Sequence, residues 1–172
     1  MTVPLPEPWL RGLIPGVAAE LQPVAHAFAQ SLEDIERVTA QLTIEQLWMQ
    51  PGGAPSIGFH LLHLAGSTDR LQTYARGEML TETQRAALRY EADLSEPRPT
   101  LDGLRAGWRA AVERATAQVA TTPVDSLDQP RAVGRLAMGS NVRGLLFHSA
   151  EHAQRHTGSV IATERFVRER PE

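Results

Sequence analysis

The sequence predicts an all-α protein: a four-helix bundle with a short extra helix and one long crossover loop. Three observations point there. Four long stretches carry apolar residues at the i, i+3, i+4, i+7 spacing of an amphipathic helix. Segments rich in Pro or Gly separate them, at residues 47–55, 97–99 and 121–140. No segment shows a convincing strand alternation. Amphipathic helices of this number and length bury their apolar faces against one another, and the bundle is the architecture that does so.

The 172 residues form one domain by the usual size relation, spanning 1–172. The chain is 42% hydrophobic, enough for a core. Its formal charge is −3 with dispersed basic residues, so no nucleic-acid partner is expected. The absence of cysteine removes disulfides, a thiolate ligand and a cysteine nucleophile. Met1–Pro8 lacks the charged and apolar regions of an export signal, and no apolar run approaches the ~20 residues of a membrane span. A soluble, cytoplasmic protein without a membrane partner is expected.

Residues 1–16, rich in Pro and Gly, read as an extended lead-in. The first helix starts near Gln22, with Leu21, Val24, Ala25, Phe28, Leu32, Ile35, Val38 and Leu42 on one face. Pro23 fits its first turn, where a missing N–H costs nothing. His26 on this helix reads as structural. Leu47–Pro55 reads as a loop. Ser56 caps a second helix to about Gly77, which is apolar nearly all round and therefore buried on more than one side. In a four-helix domain the extra apolar side implies a second subunit, so a homodimer through this helix is expected. A strip of Phe59, His63, Gly66, Ser67, Arg70 and Tyr74 has the mixed character of a ligand-site wall.

Thr81-Glu82-Thr83-Gln84 has capping-box spacing and opens the short extra helix, to about Tyr90. Pro97 and Pro99 stop it. The third long helix runs from Thr100 to before Pro123, with Leu101, Leu104, Trp108, Ala111, Val112, Ala115 and Val119 on one face. Residues 121–140, with two prolines and two glycines, read as the irregular crossover, long enough to cover a site. The fourth helix opens near Ser140-Asn141 and passes Ile161.

That last helix holds His148, His152 and His156, three of the six histidines, spaced four apart. On a helical wheel His156 lies inside the core-facing arc, His152 at its border and His148 on the flank. A lone inward histidine is usually a hydrogen-bonded core residue. Two inward ones at i, i+4 are different, because imidazolium charges repel and neutral rings in a dry place need partners. A divalent metal satisfies both, and His152 and His156 form a chelating pair. A catalytic site of this type takes three protein ligands and leaves a position open. The second helix offers His60 and His63. His63 lies on the strip with Phe59, Arg70 and Tyr74, while His60 sits toward its edge, so His63 is preferred. Zinc and nickel both suit three neutral imidazoles.

The segments Ser56–Ala65 and Glu151–Gly158 resemble those of the DinB/YfiT-like metalloprotein superfamily. The resemblance covers essentially the whole chain. It implies a helical bundle, often dimeric, with one histidine from the second helix and an H-x-x-x-H pair on the last, here His63, His152 and His156. It also implies, for a few members, transferase or isomerase chemistry using a low-molecular-weight thiol. After H-x-G the family commonly has Gln, where this chain has Ser159.

With no cysteine in the protein, any sulfur nucleophile must arrive with a co-substrate. Hydrolysis by metal-bound hydroxide needs a general base near the water. His148 is the candidate; Glu151 falls on the opposite side of the wheel and reads as a solvated charge. Ala153 stands where the zincin motif needs Glu, which argues against a metalloprotease. Phe59, Arg70 and Tyr74 are candidate substrate contacts, Arg70 and Tyr74 for an anion beside the metal. Two function classes follow: a metal-dependent enzyme, thiol-dependent S-transferase/isomerase or hydrolase, or a non-catalytic metal-holding bundle serving as a stress-related binding or interaction module.

Overall fold

A computed structural model describes residues 5–168. Four long helices form the bundle: α1 (Gln22–Val38), α3 (Ile57–Ala75), α5 (Leu101–Thr121) and α6 (Val142–Arg168). Two shorter ones, α2 (Ile44–Trp48) and α4 (Glu82–Ala92), lie in the connections, as does a two-stranded antiparallel hairpin of β1 (Pro130–Val133) and β2 (Met138–Asn141). No helix is long and apolar enough to cross a membrane.

Side chains that meet across the bundle give the helix directions. Gln154 and Thr157 of α6 reach Ala27 and Ser31 of α1, so these two run parallel. His60 and Gln72 of α3 meet His156 and Ser149 of α6, so these run antiparallel. Gln118 near the end of α5 bonds the end of α3, and Arg109 near the start of α5 pairs with Glu36 near the end of α1. Going round the bundle the order is α1, α6, α3, α5, and along the chain the directions are up, down, down, up. The core lies between them, where Phe28, Ile35, Leu61, Trp108, Leu146 and Val160 are fully buried.

This topology moves the crossover. α3 and α5 are parallel neighbours, so the segment between them must climb back along the bundle, and residues 76–100 do so by carrying α4 antiparallel against α3. Residues 122–141 instead stay at one end, where the hairpin forms and Arg131 Nε donates to Ala75 O at the end of α3. That contact lies about 18 Å of helix rise from His63, so this segment is neither irregular throughout nor a cover for the histidines. Its strands escape pattern reading because they are four residues long and show little burial alternation.

α4 also accounts for the character of α3, whose sides pack on α5, α6, α4 and α2. α3 thus has neighbours within one chain on the side from which the sequence reading inferred a second subunit. The supposed loop at 47–55 begins inside α2, where Thr43 and Gln46 form a reciprocal capping box. Trp48 of this helix lies against Gly58: a Cβ built there would stand 2.6 Å from the indole, so only glycine admits the contact. The lead-in is not simply extended either. Pro8–Leu10 form a 3₁₀ turn, Gln22 bonds Ile14 and Val17, and His26 Nε2 bonds Gly12 O, the structural role read for that histidine. Residues 1–4 of the lead-in lie outside the described residues.

Candidate metal centre

Ser56 caps α3 by accepting from Phe59 N, which fixes the first turns of the helix that carries His60 and His63. From across the antiparallel interface α6 brings His152 and His156. The ligand atoms of His63, His152 and His156 all lie within 4.8 Å of one another. Their ring centroids stand 4.5 Å (His152–His156), 4.7 Å (His63–His156) and 5.1 Å (His63–His152) apart. Nitrogens sharing an ion at about 2.0–2.1 Å need only small rotations to close from that span.

Nδ1 of each ring has a polar neighbour, while Nε2 has none among the described residues and is free for coordination. His63 Nδ1 is 2.9 Å from Glu91 Oε2. His156 Nδ1 is 2.9 Å from Nδ1 of His60, itself buried. His152 Nδ1 is 3.5 Å from Ser67 Oγ. A metal on Nε2 places the proton on Nδ1, and a carboxylate, an imidazole nitrogen and a hydroxyl oxygen can each receive that hydrogen bond. The protonation state agrees. Burial, then neighbouring imidazoles, lowers His152 and His156 to about 4, and burial followed by His63 lowers His60. At neutral pH His152 and His156 are therefore uncharged and present lone pairs. The donor set fits a divalent cation.

Glu91 is the residue sequence reasoning missed. It is the buried member of an otherwise largely exposed helix. Its carboxylate takes Arg70 Nη1 at 2.5 Å and Nη2 at 2.9 Å in addition to His63. Burial alone would raise this carboxyl, but hydrogen bonds from His63 and Arg70 outweigh it and hold it below the usual range. Gly66 makes room: a Cβ there would stand 2.0 Å from Glu91 Oε1. The only sequence signal was indirect, since a buried Arg70 requires an anion and a metal-binding imidazole commonly has an acceptor behind it.

The remaining candidates fall at different distances from the centre. Phe59 stacks on His63, with centroids 5.7 Å apart and planes at 6°, and it helps wall a cavity of about 310 Å³ with Gln50, Pro55, Glu91 and Leu94. Arg70 is buried with its guanidinium engaged by Glu91, so it braces the site rather than facing free space. Tyr74 lies 11 residues beyond His63 on α3, about 16 Å along the axis, and lines a different cavity. His148 is half exposed; its ring stands edge-on to His152 at 5.6 Å, and its Nδ1 is 3.4 Å from Glu151 Oε2. Glu151 also pairs with Arg155 at the surface.

Comparison with known proteins agrees with this architecture. The model of the DinB superfamily matches residues 27–160, a span that contains all four clustered histidines and Glu91. No curated protein matches the chain. A crystal structure of a conserved protein from Enterococcus faecalis superposes with a TM-score of 0.68 at 16% identity, over 87% of this chain and 98% of that one. At such identity the likeness speaks for the fold.

Proposed function

This chain belongs to the DinB superfamily, and on that premise we propose that it is a metal-dependent enzyme whose His63, His152 and His156 hold one divalent cation, zinc or nickel. The carrying observation is the convergence of three imidazoles from two helices, with an acceptor behind every Nδ1. Three ligands leave a coordination position to substrate. When bound, such an ion acts as a Lewis acid, polarising a carbonyl or favouring the ionised form of a thiol or water.

The chain's own groups suit transfer of a group to an external thiol. With no cysteine available, the sulfur comes from a low-molecular-weight thiol as co-substrate. His148, beside His152 and open to solvent, would take the proton released by the thiol and pass it to bulk water. Phe59 stacks on the His63 ring and helps hold it in its plane. Hydrolysis uses the same groups with water as nucleophile. Glu91, tied to Arg70 and His63, is not free to act as its base.

One observation favours a non-catalytic reading. His60 stands in hydrogen-bond contact with His156, and as a fourth ligand it would close the site. Metal analysis of purified wild type, His152→Ala and His60→Ala separates the readings. The enzyme reading expects one equivalent in wild type and in His60→Ala, and its loss in His152→Ala with the helical circular-dichroism signal retained. Full metal retention in His152→Ala rejects the ligand set; release in His60→Ala supports the closed site. Thiol-dependent consumption of an electrophile panel by the loaded wild type then tests the reaction class.

A further inference from the structure

A second cavity, of about 380 Å³, opens where the end of α3, the start of α4 and the β1–β2 turn meet. Its volume lies in the range of small-molecule sites. Tyr74 lines it, and is separated from His63 by about 16 Å along α3. This tyrosine is only 9% exposed, and its hydroxyl has no hydrogen-bond partner among the described residues without being sealed from solvent. It is therefore free to bond a ligand in the cavity it lines.

The charges around the cavity are unbalanced. Arg85, Arg89 and Arg135 line it. Arg85 and Arg89 share one carboxylate, Glu82, and no carboxylate pairs with Arg135 among the described residues. This leaves an excess of positive charge on a protein whose formal charge is −3. The other lining groups are apolar. Leu80 and Leu88 stand beside Met79, which is 71% exposed, and the hairpin turn adds the exposed Leu136 next to Arg135. Large apolar side chains gathered around a concave surface mark a binding site more often than those scattered singly.

We propose that this cavity is a second ligand site, separate from the histidine cluster, for an amphipathic carboxylate: an anionic head on an apolar body. The planar guanidinium fork of Arg135 matches the two oxygens of a carboxylate, and the Tyr74 hydroxyl supplies a further donor. Met79, Leu80 and Leu88 cover the alkyl or aryl portion.

The test uses decanoate, below its micelle concentration, titrated by calorimetry into metal-loaded wild type, Arg135→Ala and Tyr74→Phe, and into metal-free His152→Ala. Arg135 is exposed and has no carboxylate partner among the described residues, and Tyr74→Phe removes one oxygen, so both variants should retain the fold. Saturable binding at one equivalent is expected in wild type, with none for acetate and weaker binding for decanol. Affinity should fall about tenfold in Arg135→Ala, the effect of one charge-assisted hydrogen bond, and by a smaller factor in Tyr74→Phe. Metal content should be unchanged in both, and His152→Ala should bind decanoate as wild type does. Absence of saturable binding, or equal affinity in wild type and Arg135→Ala, overturns the proposal. So does loss of binding in His152→Ala, which would put the carboxylate on the metal.

Discussion

A buried carboxylate bonded at once to an imidazole and a guanidinium has little freedom, and Glu91 is in that position between His63 and Arg70. It fixes the orientation of His63 and leaves Nε2 as the nitrogen free for a metal. Replacement by Gln keeps the shape but removes the charge that favours a proton on His63 Nδ1. Glu91→Gln should therefore weaken metal affinity by about 10–100-fold with the fold retained, measured by competition with a chromophoric chelator. Gly66→Ala should act in the same direction, because its Cβ would occupy the space of Glu91 Oε1. If the two losses combine additively in the double variant, the steric link drawn between these residues is wrong. At this scale the chain's text was uneven. His152 and His156 could be read from their spacing, since a helix repeats within four residues. Glu91 could not, because its burial depends on where a separate helix comes to rest.

Among elements, the helix starts were the most legible. Ser56, Thr81 and Thr100 each accept from the backbone N–H three residues on, as Ser and Thr at those positions suggest. What was missed consists of short pieces held by distant partners. α2 is five residues long, too short to show a period, and it is fixed by Trp48 resting on Gly58. A methyl group at position 58 would meet the indole at 2.6 Å, so Gly58→Ala must push α2 off α3. The expected cost is about 1–3 kcal/mol, the usual range for overpacking, read as a lower urea midpoint with an unchanged slope. An unchanged midpoint would mean that α2 adds little to the stability of the bundle. The hairpin was illegible for a related reason: its register is set by strand pairing and by Arg131 on the end of α3, both outside its own few residues.

At the scale of the molecule, the amphipathic pattern identified the bundle but not its connectivity. Apolar spacing says which face of a helix is inward; it does not say which helices are neighbours or which way they run. The up, down, down, up order emerges only from cross-bundle pairs such as Gln154–Ala27 and Gln72–Ser149. The same blindness hid α4, whose return along the bundle gives α3 a neighbour within its own chain. The order has a thermodynamic corollary at the histidines. His63 and His152 are 89 positions apart along the chain (152 − 63), so one ion gripped by both acts as a knot tied in a long loop. Loading then adds to the stability of an already folded chain, since an unfolded chain cannot assemble the grip. Adding zinc or nickel to chelator-treated protein should raise the melting temperature in step with the logarithm of free metal, and His152→Ala should show no such rise. A melting curve indifferent to metal would mean that the three rings never close on a common ion.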